Sequence, residues 1–170
     1  HKGKLSSVSE LLNNCITSMG KRRFNYDLLN PICDISILNN SYNITEHLLK
    51  NTTLWEHFRI TLGNIKDIEK IRRKLIMGKI CPRDFFNLYQ NLSSIQNLNQ
   101  KIKTDKIVFN YINEFVYGTH SANIKNKTDE SCQIMSDFIN KYFDLDLCKN
   151  IDDITPDKIS NLNMDQMNFI

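Results

Sequence analysis

The sequence predicts an all-α fold, an irregular multi-helix bundle with no substantial β-sheet, running as a single helical segment through residues 1–170. Three observations lead there. Five Gly and three Pro leave few of the chain breakers that repeated hairpins need. Apolar residues recur at i, i+3 and i+4 along most of the chain, whereas no alternating run of useful length occurs. Finally, 41% hydrophobic and 24% charged residues are ordinary for a packed domain of this length, which can bury a core of its own.

Each element follows from its own spacing. Leu5, Val8, Leu11, Leu12 and Cys15 form one stripe of a short helix from near Ser6 to near Asn14. Thr17 is placed to cap a second helix, whose apolar contacts are Met19, Phe24 and Leu28 and which Pro31 stops by removing a donor. Asp34 caps a third helix that keeps helical spacing up to the polar run at 51–53, although the Asn cluster at 39–43 is a weak helix former. A short helix over Leu54–Leu62 precedes one over Ile65–Met77, which Gly78 closes. Pro82 suits a first helical position, Asp84 suits the positive end of that helix's dipole, and Phe85, Leu88, Tyr89, Leu92 and Ile95 form its stripe. Ile107, Val108, Tyr111, Ile112, Phe115 and Val116 give a wide buried face. After a loop over 120–127, Thr128 caps a last strong helix with Met135, Phe138, Ile139, Tyr142 and Phe143 inward. Thr155-Pro156-Asp157 reads as a further helix start.

The same residues exclude most chemistry. The five glycines lie too far apart for a phosphate-cradling loop, so neither ATP nor another nucleotide is expected on this segment. His47 and His57 lack the spacing that puts two imidazoles on one helical face, and the five cysteines form no paired motif, so no metal site is expected. Odd in number and scattered, the cysteines read as reduced thiols of an intracellular protein. Asp67 and Glu69, two apart on a helix, point in different directions, and Glu69 is expected to pair with Arg72 or Arg73. A net charge of +3 makes any basic surface local, the candidates for phosphate contact being Lys21-Arg22-Arg23 and Arg72-Arg73-Lys74. A solvated face or an interdomain contact is the competing and more ordinary use of both clusters. No apolar run is long enough to cross a membrane, and the opening His1-Lys2-Gly3-Lys4 has neither an initiating Met nor a signal-peptide core, as expected of an excised piece.

Four ordered patterns carry a resemblance. Residues 7–22 place a Leu-rich helix before Thr17-Ser18-Met19-Gly20-Lys21-Arg22, and Pro31 and Asp34 follow as P-x-x-D. Asp67-Ile68-Glu69-Lys70 is then followed at short spacing by Gly78-Lys79-Ile80-Cys81-Pro82-Arg83-Asp84. Over roughly residues 5–95 this resembles the core domain of the MutS family of DNA mismatch-recognition ATPases, with residues 96–170 placed by helical character alone, on the way to the lever and clamp. Ser41 and Lys74 stand where the family usually carries Arg, and Cys81 where it carries a Ser or Thr cap, an exchange that should cost about 1 kcal/mol if uncompensated.

The resemblance implies a relay between a DNA clamp and an ATPase, itself free of catalysis. Thr17, Met19, Gly20, Arg22, Pro31, Asp34, Asp67, Glu69, Gly78, Pro82, Arg83 and Asp84 would shape that relay. The parent protein would bind mismatched double-stranded DNA, use ATP and Mg²⁺, and act as a homo- or heterodimer. A stand-alone helical protein-interaction module and a small basic helical DNA-binding protein are the alternatives.

Overall fold

The computed structural model of the chain describes residues 7–116 and 124–151. Among them lie nine α-helices and no strand: α1 (Val8–Leu12), α2 (Ser18–Leu29), α3 (Ile35–Lys50), α4 (Thr52–Gly63), α5 (Ile68–Ile76), α6 (Pro82–Thr104), α7 (Lys106–Tyr111), α8 (Ile124–Tyr142) and α9 (Leu145–Cys148). A π-helical turn, Ile112–Val116, continues α7. Leu5, the 120–123 stretch, the Phe115 and Val116 side chains, and Thr155-Pro156-Asp157 lie outside the described residues.

Polar side chains set most boundaries. Thr17 accepts from the Gly20 N–H at 3.0 Å, and Asp34 accepts from the Ser36 and Ile37 N–H groups at 2.8 and 3.1 Å. The second helix ends at Leu29, two residues before Pro31. α3 runs unbroken through the Asn cluster to Lys50, as its apolar spacing predicts. α5 begins at Ile68, later than the spacing predicts, because Asp67 is its cap and accepts from the Lys70 N–H at 3.1 Å. At its other end Gly78 has φ +65°, and the Gly78 and Lys79 N–H groups reach the Leu75 and Lys74 carbonyls at 3.1 and 2.8 Å. That pair of bonds is a Schellman closure, which needs a left-handed residue and so favours glycine.

The axis of the molecule is α6, about 35 Å long at 1.5 Å per residue. Its apolar stripe packs against α8 and α9: Leu92, Cys132 and Ile139 are buried, with Leu88, Tyr89, Ile95, Phe143 and Leu145 around them. Phe85 stacks on Phe143 with ring centroids 4.2 Å apart. Asn99 and Lys103 of α6 also donate to Asp129 of α8. The face α8 turns inward is therefore Cys132, Ser136 and Ile139, with Phe143 just past its end. This corrects the expected stripe, since Met135, Phe138 and Tyr142 are exposed. Thr128 lies inside α8, which starts at Ile124, and is not its cap. The wide face predicted for α7 is also narrower: Val108 is buried while Ile107 is 53% exposed.

Candidate functional site

Three of the four sequence patterns contribute residues to the contacts between α2, α5 and α6, whereas Pro31 and Asp34 lie apart, exposed between α2 and α3. Arg22, on α2, forks onto Asp67 with Nη1–Oδ2 and Nη2–Oδ1 distances of 2.7 and 2.9 Å. Its Nε donates to Glu69 Oε2 at 3.0 Å, and Nη2 donates to that same oxygen. Glu69 thus pairs across the fold with Arg22. The expected pairing with Arg72 or Arg73 is corrected, because a planar guanidinium presenting two edges outcompetes a local contact on one helix face. The Arg22 bonds hold the Asp67 carboxyl down at about 2 and raise the guanidinium above its ordinary value. Asp67 is the least exposed of the three, its side chain 19% accessible against 44% for Arg22 and 61% for Glu69.

A second joint ties α5 to α6. Lys74 Nζ lies 2.9 and 2.7 Å from the two oxygens of Asp84, a buried residue in the first turn of α6. The Cys81 N–H and thiol both approach Asp84 Oδ2, each at 3.1 Å. Burial pushes the Asp84 carboxyl up, but Lys74, the thiol and the N–H outweigh it and hold the group below its ordinary value. Burial and the neighbouring carboxylate together push the Cys81 thiol up, which keeps it a donor. Asp84 reaches back to the Cys81 N–H as the acidic half of a capping box, and the Cys81 thiol donates to the same carboxylate. Pro82 is buried at the first helical position, and Arg83 is exposed, with its N–H donating to the Ile151 carbonyl at 3.1 Å.

Of the basic clusters, Arg22 and Lys74 are thus engaged by carboxylates, and Arg23 bonds Asp27 one turn along at 2.9 Å. Lys21, Arg72 and Arg73 are exposed. Met19 is half-buried, and at Gly20 a Cβ would stand 2.9 Å from Thr17 Oγ1 and 3.3 Å from Cys15 Cβ, so glycine leaves room for the capping hydroxyl. Sequence reasoning overlooked Asn91, the largest fully buried side chain among the described residues. Its signal was available: it is an amide within the apolar stripe Leu88, Leu92, Ile95.

An open apolar pocket of about 500 Å³ lies between the α1–α2 hairpin and α3–α4, lined by Leu12, Ile16, Phe24, Leu48, Trp55 and Phe58 among others. Arg59, at its edge, donates to the Asn14 carbonyl at 3.2 Å. No set of ionisable groups converges on it. Among the described residues no three His, Cys, Asp or Glu side chains are grouped to hold a metal, and no helix is long and apolar enough to cross a membrane.

Comparison with known proteins decides the family. The family model described as MutS domain III matches residues 1–162. This chain belongs to the MutS domain III family. The DNA mismatch repair protein MutS of Borrelia hermsii is 32% identical over 131 residues, covering 73% of this chain and 15% of the relative. MutS of Borreliella burgdorferi strain ZS7 is 36% identical over 107 residues, covering 63% and 12%. A mutS homolog named as a DNA mismatch repair protein in Acanthamoeba polyphaga mimivirus is 28% identical over 123 residues, covering 68% and 11%. The chain spans 10% to 15% of the length of the first of these MutS relatives. No solved structure matches. The all-helical fold and the joints described above are therefore those of a MutS domain III segment.

Proposed function

We propose that this MutS domain III segment relays conformational change within a DNA mismatch-recognition ATPase, between the part that clamps DNA and the part that hydrolyses ATP. One observation carries the reading: residues of two sequence patterns forty-five positions apart meet as an inter-helix joint at Arg22–Asp67–Glu69, and Asp84 of a third pattern ties α6 to α5 through Lys74. Packed helices held by such joints move as units between discrete arrangements, which suits transmission over distance. Thr17, Met19, Gly20, Pro31, Asp34, Gly78, Pro82 and Arg83 serve the same role by fixing where those helices start, stop and approach. Mismatched double-stranded DNA, ATP with Mg²⁺, and a second protomer would be engaged by other parts of the longer protein.

The test is Arg22→Ala in the full-length protein, with DNA binding and ATP hydrolysis measured separately. Mismatch-dependent stimulation of hydrolysis is expected to fall about fivefold or more, the scale of an ordinary coupling energy, with mismatch binding retained. Unchanged stimulation in a folded variant would overturn the proposal. The engagement of Arg22, Arg23 and Lys74 by carboxylates weighs against a small basic DNA-binding protein.

A further inference from the structure

Asn91 lies on α6, is fully inaccessible to solvent, and makes two bonds to one residue. Its Oδ1 accepts from the Lys66 N–H at 2.7 Å and its Nδ2 donates to the Lys66 carbonyl at 3.3 Å. An amide buried this deeply would be costly without partners, and here both ends are satisfied by the same stretch of backbone. Lys66 sits in the short connection between α4 and α5, beside the buried Ile65. Its carbonyl belongs to the peptide unit that leads into Asp67. Because a peptide unit is planar, holding that carbonyl fixes the orientation in which the chain enters Asp67. Asp67 is in turn both the cap of α5 and the bidentate acceptor of Arg22.

We propose that Asn91 is a positioning residue: from inside α6 it sets the Asp67 carboxylate for Arg22, so that α2 is registered to α6 through one amide and one peptide plane. Lys74–Asp84 holds the far end of α5 to α6. Together the two attachments make α5 a rider on α6, and Arg22 then grips both carboxylates that α5 presents. The inference concerns the linkage inside this chain and stands whether or not the linkage transmits a signal in the longer protein.

Hydrogen exchange of the Arg22 Nη1–H group, which donates to Asp67, followed by low-temperature NMR in this 170-residue chain, tests it. Asn91→Leu places an apolar side chain of similar size at the site and removes both bonds. Exchange at Arg22 is expected to accelerate roughly fivefold or more, the scale of losing one net hydrogen bond. Exchange at Arg23, whose partner Asp27 lies on its own helix, should stay unchanged. Asn91→Asp keeps an acceptor for the Lys66 N–H but sets a carboxylate against the Lys66 carbonyl, so it too should accelerate Arg22 alone. It decides the matter if Asn91→Leu does not fold. Unchanged exchange at Arg22 in either folded variant, or equal acceleration at Arg22 and Arg23, overturns the proposal.

Discussion

Arg22 and Asp67, forty-five positions apart in sequence, meet as a two-pronged pair at 2.7 and 2.9 Å. The pair makes the stability of the α2–α5 joint dependent on acid. Asp67 is held at about 2, below the ordinary carboxylate value, first by its bonds to Arg22. A group whose folded value is depressed contributes fully above its unfolded value, near 4, and loses that contribution as pH falls through its folded value. The stability difference between the native chain and Arg22→Ala is therefore expected to be constant above about pH 5 and to shrink between about pH 4 and about pH 2. Urea titrations followed by Trp55 fluorescence at several pH values would measure it. A difference that does not change across this window would show that the pair is not coupled to folding. Added salt should weaken the same difference, since Arg22 and Glu69 are both largely accessible.

The Lys74–Asp84 joint should behave differently, because it is less exposed. Asp84→Ala removes the carboxylate that Lys74 bonds and the acceptor of the Cys81 N–H at once. Breaking one side of a buried ion pair typically costs 3–5 kcal/mol, and Lys74 keeps about a third of its side chain in water, so a loss of about 2–3 kcal/mol is expected. Lys74→Met leaves Asp84 with the Cys81 N–H and thiol, and should cost less. Denaturant midpoints of the two variants would order them, and the reverse order would contradict this account of the joint.

Gly78 supplies a test of the backbone. At φ +65° nothing lies within 4 Å of where a Cβ would stand, so space is not the obstacle and conformation alone sets the penalty. Gly78→Ala is expected to destabilise by about 1–2 kcal/mol, and Gly78→Asn by less, because Asn tolerates the left-handed region. Equal stability of the Ala variant and the native chain in thermal melts would refute the Schellman closure of α5.

These joints mark where sequence reading succeeds and where it stops. Caps at Thr17 and Asp34 and the closure at Gly78 are legible because each depends on residues within one turn of one another. For Glu69 local spacing points to a neighbour on its own helix, because that is all a sequence exposes, whereas its partner comes from α2. The role of Asn91 is not legible in the sequence, because an amide within an apolar stripe resembles a solvated position until the backbone it satisfies is in place. Arg22, Asp67 and Glu69 each stand out in the sequence, yet nothing local indicates that one guanidinium takes both carboxylates.

The last strong helix gives the sharpest contrast between pattern and packing. Ile134, Met135, Phe138 and Tyr142 are 69%, 44%, 57% and 48% exposed, while Ile139 is 2% exposed. The helix carries two apolar faces, and α6 engages the one centred on Cys132 and Ile139, so counting apolar residues could not select it. Ile139→Ala should therefore leave a cavity at the α6–α8 seam and cost about 2–5 kcal/mol. Phe138→Ser removes a larger apolar side chain yet should change the stability of the chain by no more than about 0.5 kcal/mol, as surface substitutions usually do. The Phe138 ring does touch Tyr142, at 4.8 Å between centroids, but both rings are accessible and little burial is lost. Chemical denaturation of the two variants side by side would decide: if Phe138→Ser proved as damaging as Ile139→Ala, α8 would have to be rotated about its axis relative to α6.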